Sequence, residues 1–222
     1  MNNKDYWDRK IIEWEDSMAQ KENVPFIERL ASLLRGPLLK HRSEVSMNIL
    51  SRFVKDRTVL ELGCGSGYFA FELLEKGKAK HITGIDISQN AIVRARGIAS
   101  KRQLTDKITF LEGDVTSKSF PEVDVTIGLG FLDYLSPEEI RSLFQNMKSP
   151  YFLFSFADKS ISLLRYIHKF YMLSQRCSKH FYYSQDEIAG YIGKEYGELQ
   201  FLTDRKMSFT CIVHNLRLSS AT

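Results

Sequence analysis

Three carboxylates, Glu61, Asp86 and Asp114, each end a short apolar run, and the first stands just ahead of an alternating glycine set, Gly63, Gly65 and Gly67. A loop built from such glycines lets the backbone approach a ligand more closely than any residue with a Cβ would. Glu61 at its mouth would repel a pyrophosphate but accept a hydrogen bond from an ammonium group, which favours a ligand with a free amino acid end. Asp86, in G-I-D-I-S, sits where a strand-end acid can accept both hydroxyls of a ribose. A turn-capping acid before Asn90 is the plainer alternative. Asp114, in F-L-E-G-D-V, is by residue type a turn former.

The elements that must position these groups follow from periodicity. Val59, Leu60 and Leu62 end a buried parallel strand, and Tyr68 to Lys76 forms the next helix, whose unpaired N-terminal amides would face the ligand. Strands are predicted at His81–Ile87, Lys107–Leu111, Val123–Leu129 and Tyr151–Phe156, with a helix over Asn90–Lys101. Another runs from Pro137 to Asn146, where Ser136 can cap and Glu138 and Glu139 complement the dipole. Gln185–Gly193 reads as a helix, and Leu199–Thr203 and Phe209–Leu216 as two strands with no helix between them. Such alternation predicts an α/β fold: a doubly wound seven-stranded sheet, mostly parallel with a C-terminal antiparallel hairpin, and helices on both faces. Before it, residues 1–56 read as a helical cap in three pieces, the second stopped by Gly36-Pro37 and the third running from about Ser43 to Val54. This cap either packs on the sheet edge or forms a lid, with Tyr6 or Trp7 over the ligand.

The run E-L-G-C-G-S-G, followed by G-I-D-I-S and F-L-E-G-D-V in that order, resembles the motifs of the class I S-adenosylmethionine-dependent methyltransferases. The dinucleotide fingerprint G-x-G-x-x-G has a different glycine spacing. The resemblance covers Val59 to Leu216 and implies S-adenosyl-L-methionine as cofactor, its methionine part held at Glu61, Gly63, Cys64 and Gly65. It implies Ile87 against the adenine, Asp114 on the adenine amino group with the Val115 amide meeting the ring, and Leu129 and Phe131 lining the methyl group's path. The Asp/Asn-Pro-Pro-aromatic run of amide-nitrogen enzymes acting on nucleic acid is absent from the segment Gly128–Leu135, as is a Pro-Cys nucleophile, so nucleic acid is a poor expectation.

Residues 157–183 form an insert between the expected core, 57–156, and the C-terminal helix and hairpin, 184–222. From Lys159 through Gln185 it holds no acid, while Arg165, Lys169, Arg176 and Lys179 alternate with aromatic residues. It would suit a substrate cover for a small-molecule or lipid-linked acceptor with an anionic part, bound by Arg165 and Lys169, or peripheral contact with an anionic membrane through 159–183. A solvated basic face over an ordinary apolar stripe is the third option. Candidates for a base acting on an acceptor hydroxyl are His168, His180, Asp133 and Tyr134.

Composition narrows the classes. With 222 residues, 43% hydrophobic, 26% charged and net charge +4, the chain fits one globular domain with no compositional case for nucleic acid. No signal peptide and no apolar span are visible. The odd set Cys64, Cys177 and Cys211 lacks metal-ligand spacing, so a cytoplasmic protein without a metal is expected. Two rivals to an oxygen methyltransferase remain: a non-catalytic S-adenosylmethionine-binding partner protein and an NAD-dependent oxidoreductase.

Overall fold

A computed structural model describes residues 3–18, 26–116, 120–159 and 179–217. Seven strands form one sheet: β1 (Thr58–Leu62), β2 (His81–Asp86), β3 (Ile108–Glu112), β4 (Val125–Gly128), β5 (Tyr151–Ala157), β6 (Gln200–Thr203) and β7 (Thr210–His214). Their order is β3-β2-β1-β4-β5-β7-β6, parallel from β3 through β5 and antiparallel at both β7 pairings. The order in which strands are added reverses at β1, with β4 on its other side, which leaves a crevice at the carboxyl ends of β1 and β4. The predicted fold class is therefore the observed one.

Alternation along each strand sends successive residues to opposite faces. Val59, Ile82 and Leu153 pack on one side with Leu50, Leu73, Ile92 and Ala95. Leu60, Leu62, Phe152 and Phe154 pack on the other with Ile140, Phe144 and Ile188. The helices α2 (Phe26–Leu50), α3 (Tyr68–Glu75) and α4 (Gln89–Lys101) thus cover one face, and α5 (Pro137–Asn146) and α6 (Gln185–Tyr191) the other. Each fully buried Leu, Ile or Phe contributes about 1.5–3 kcal/mol of transfer free energy, so the strands are held mainly from their two faces. Ser136 caps α5 in a full capping box with Glu139, as its residue types predict.

The N-terminal region departs from expectation. It contains two described helices, α1 (Asn3–Met18) and α2, and α2 runs through Gly36-Pro37 instead of ending there. Proline forces its predecessor out of the helical region chiefly by a clash with that residue's Cβ, and Gly36 has none. Proline's own φ is already helical, so the helix loses one backbone bond and continues. Among the described residues no helix is long and apolar enough to cross a membrane.

Candidate functional site

The loop between β1 and α3 turns on three left-handed glycines, Gly63 (φ 68°), Gly65 (φ 53°) and Gly67 (φ 78°). Gly63 lies at the surface of the crevice, and a Cβ there would sit 2.9 Å from the Phe131 ring. At Gly67 a Cβ would collide with Phe110. The loop's own amides are largely committed within the fold. Gly63 and Cys64 donate to the Ile85 carbonyl, Gly65 donates to Asp86 Oδ2 at 2.8 Å, and Gly67 donates to the Cys64 carbonyl. Glycine here supplies clearance and curvature more than donors. Cys64 is buried, with its thiol turned back to the Gly65 carbonyl.

Asp86 ends β2 at 8% exposure, with Oδ1 accepting from the Ser88 amide at 2.9 Å and Oδ2 from Gly65. It ties the glycine loop to the start of α4, so the turn-capping role and a position at the sheet's ligand edge coincide in one side chain. Glu61 is 3% exposed beside it, and its Oε2 is shut off from solvent with no hydrogen-bond partner among the described residues. Burial first, and the neighbouring Asp86 second, push the Glu61 carboxyl up to about 8. Ile87 is half-buried just beyond β2. Asp114 lies exposed after β3, where its Oδ1 accepts from the Thr116 amide at 2.9 Å and hydroxyl at 2.7 Å; Val115 next to it packs inward.

The exit of β4 brings the remaining candidates together. Leu129 and Phe131 are half-buried there, and Phe131 stacks on Phe154. A short 3-10 turn, Leu132–Tyr134, carries Asp133 and Tyr134. Asp133 is buried, and that burial pushes its carboxyl up to about 6, less than it otherwise would because Arg42 lies nearby. His180 Nε2 lies 3.8 Å from Asp133 Oδ2, and burial pushes the imidazole down to about 4. His168, Arg165 and Lys169 lie outside the described residues, as does Cys177.

Helix α1 lies across the carboxyl ends of the strands. Asp8 Oδ1 accepts from Ser88 Oγ at 2.8 Å and from the Asn90 amide at 3.2 Å, Asp16 pairs with Arg94, and Lys4 pairs with Glu112 at the end of β3. Tyr6 is buried under it, and Trp7 meets Tyr134 edge to face at 4.7 Å. α1 thus packs on α2 and α4 and also touches residues at or just beyond the carboxyl ends of β2, β3 and β4.

Arg42 was not among the sequence-predicted site residues. It reaches from α2 to Gly130, beneath the turn that carries Asp133, and its Nε is buried without a partner among the described residues. Desolvation lowers its pKa, against the attraction of Asp133. The signal was present: Arg42 shares a helical stripe with Val45 and Ile49, both packed on the core, and a charge on an inward stripe demands a partner.

The site thus presents a buried carboxylate and a half-buried guanidinium, each with a buried atom that lacks a partner among the described residues, at the adjacent ends of β1 and β4. Such a pair complements an α-amino acid zwitterion. Residues 59–149 match a family described as "Methyltransferase domain". A putative methyltransferase of Geobacillus sp. (strain WCH70) is 30% identical over 139 residues, covering 61% of this chain and 52% of that one. Protein arginine N-methyltransferase 1 of Saccharomyces cerevisiae is 34% identical over 91 residues, 40% of this chain and 25% of that one. The chain spans about half or less of the length of these curated relatives. Magnesium protoporphyrin IX methyltransferase from Synechocystis PCC 6803, solved with bound SAH, superposes with a TM-score of 0.69 at 17% identity, over 95% of this chain and 96% of that one.

Proposed function

Because the chain belongs to the class I S-adenosylmethionine-dependent methyltransferases, we propose that it transfers a methyl group from S-adenosylmethionine to an oxygen of a small-molecule or lipid-linked acceptor with an anionic part. The observation that carries this reading is Glu61, a carboxyl buried at the glycine loop with an unpartnered oxygen. An unpaired buried acid costs stability unless a cation arrives to share it. The methionine ammonium is that cation, and Arg42 is placed for the carboxylate of the same group. A nicotinamide dinucleotide fits poorly, because its pyrophosphate would face Glu61 and Asp86 together.

The bound cofactor supplies a methyl group on a positively charged sulfur. The chain's own residues hold and align it. Asp86 would take the ribose hydroxyls at the ligand edge; Ile87, Asp114 and Val115 would surround the purine; Gly63, Cys64 and Gly65 would pass under the methionine part; Leu129 and Phe131 would flank the methyl path. Tyr6 and Trp7 close the site from α1. The helical cap 1–56, core 57–156, insert 157–183 and C-terminal part 184–222 act as one domain around this crevice. Alignment of this kind is the main demand of a direct displacement.

Glu61 also makes the reading testable by pH. Its folded-state pKa lies above its ordinary value, so the folded protein holds a proton that the unfolded chain has lost; stability from this group is present below about 4.5 and falls as pH rises towards about 8. An ammonium ligand favours the ionised form and expels that proton. S-adenosylhomocysteine, which keeps the same amino acid end, is expected to bind at least about tenfold more tightly at pH 8 than at pH 6, roughly 1.4 kcal/mol. Calorimetry in buffers of different ionisation enthalpy would register proton release, and Glu61→Gln would abolish both effects. Absence of S-adenosylhomocysteine binding to the wild-type chain would overturn the assignment.

A further inference from the structure

The two edges of the sheet are finished differently. At the β3 edge, the Gly113 amide donates to the Asp86 carbonyl and the Ile82 amide donates to the Lys107 carbonyl. Residues 107 and 113 therefore turn their backbone groups towards β2, and by alternation Phe110 turns its carbonyl outwards. Arg96 of α4 donates to that carbonyl from Nε at 3.0 Å and from Nη2 at 2.8 Å. Lys4 of α1 pairs with Glu112 on the same strand. An open strand edge is a template for pairing with another chain, and charged side chains occupy this one.

Among the described residues β6 has no such guard. The Asp158 amide donates to the Phe209 carbonyl and the Asn215 amide to the Phe152 carbonyl, so the odd-numbered residues of β7 bond to β5. Ile212 and His214 are left to bond to β6, and the register sets them against Leu202 and Gln200. Phe201 and Thr203 consequently point their N–H and C=O groups away from the sheet. The strand reads Q-F-L-T, with no proline and no charge, and it pairs with β7 in continuous register without a bulge. Gln200 and Thr203 are exposed, and Leu202 is 37% exposed.

Charge at the two ends of β6 is of opposite sign. Glu198 lies exposed before the strand, and Arg205 and Lys206 lie exposed after it; Lys194 and Glu195, further back, offset each other. Asp204 is already engaged, because His41 Nε2 of α2 lies 3.0 Å from its Oδ2 and the Lys206 amide donates to its Oδ1 at 2.8 Å. The basic turn is thereby pinned to α2 while its two long side chains stand in solvent. A strand with an acidic start, a basic end and an exposed leucine between them complements a copy of itself running the other way.

We propose that β6 is a self-association edge, at which two copies of this chain pair antiparallel about a two-fold axis beside Leu202. Opposed residues of an antiparallel pair share a face, so the axis must pass beside a residue that opposes itself. An axis at Phe201 would set Glu198 against Asp204 of the second copy, like charge against like. An axis at Leu202 sets Glu198 against Lys206 and Gln200 against Asp204, while the free backbone groups of Phe201 and Thr203 bond to Thr203 and Phe201 of the second copy. The two Leu202 side chains then meet in a non-hydrogen-bonded pair, with Cα atoms about 4.5 Å apart, and cover each other's apolar surface. β5 and β7 separate this edge from the crevice at β1 and β4, so each copy keeps its own site.

The test uses the full chain. Sedimentation velocity over an about 100-fold range of concentration is expected to show a concentration-dependent dimer, and a monomer throughout would overturn the proposal. Leu202→Lys should weaken the dimer at least about tenfold, because it sets two like charges at the axis. Glu198→Lys should weaken it about three- to tenfold, and adding Lys206→Glu should bring it back to within about twofold of the wild type. The geometry has a readout of its own in a Cys177→Ser background, where the other cysteines, Cys64 and Cys211, are buried. There Leu202→Cys should give a disulfide-linked dimer under mild oxidation, since Cα atoms at the axis lie within the span a disulfide bridges. A dimer unmoved by both Leu202→Lys and Glu198→Lys would put the contact elsewhere and overturn the proposal, as would a Leu202→Cys chain that dimerises without cross-linking. The cofactor reading stands or falls separately, on S-adenosylhomocysteine binding.

Discussion

The two halves of the crevice are built by opposite strategies. The half at β1 and β2 is contiguous: Glu61, the glycines and Asp86 come from one strand–loop–helix–strand unit, and the loop is sewn to β2 by its own amides. The half at β4 is assembled from Trp7, Arg42, Asp133, Tyr134 and His180, which meet only after α1, α2 and residues 179–183 have docked. Charge differs as well. Two acids stand together in the first half, and burial keeps one of them protonated until a cation arrives. In the second half one acid faces a guanidinium. The lesson is that the local half can be rigid and pre-formed, whereas the assembled half depends on long-range packing and is the part free to vary with the acceptor.

The sharpest way to break the comparison is Asp86→Ala. That change removes the tie between the loop and α4 along with the acid at the ligand edge, at about 1–3 kcal/mol for each charged hydrogen bond lost. Calorimetric affinity for S-adenosylhomocysteine should fall at least about 100-fold; an unchanged affinity would show that the contiguous half does not hold the cofactor. Arg42→Met comes next. It leaves buried Asp133 without the guanidinium that faces it, so the thermal midpoint should fall, and S-adenosylhomocysteine affinity should drop about 10- to 100-fold. An unchanged affinity beside a lowered midpoint would make Arg42 a structural partner of Asp133 alone and erase the contrast between the halves. The smallest effect is expected for Asp8→Ala, which frees α1 from Ser88 and Asn90. A partly exposed tie of this kind should change S-adenosylhomocysteine affinity by about threefold or less, and the dissociation rate by more, because α1 lies over the site. Equal effects on affinity and dissociation rate would also follow from a cover, whereas no effect on either would make α1 packing alone.

Much of the frame was readable in the chain because its signals are local. Apolar runs, glycines at every second position and a Ser-Pro-Glu-Glu start each act within a few residues, and the resulting strands, left-handed loop and capped α5 lie within a residue or two of expectation. The antiparallel hairpin also followed from two strands with no helix between them, whereas the order β5-β7-β6 was decided by the packed sheet. The Gly36-Pro37 stop failed for a physical reason: a breaker signal assumes a Cβ before the proline, and Gly36 lacks one. Arg42 escaped because its significance is not in its neighbours but in Gly130 and Asp133.

By itself, then, the sequence determined the layered sheet, the glycine loop and the acids at its edge, since dihedral preference and hydrophobic period act along the chain. Only tertiary structure decided which charge meets which. Burial and distance set the protonation of Glu61, Asp133 and His180 and the company of Arg42, and both are properties of the packed molecule.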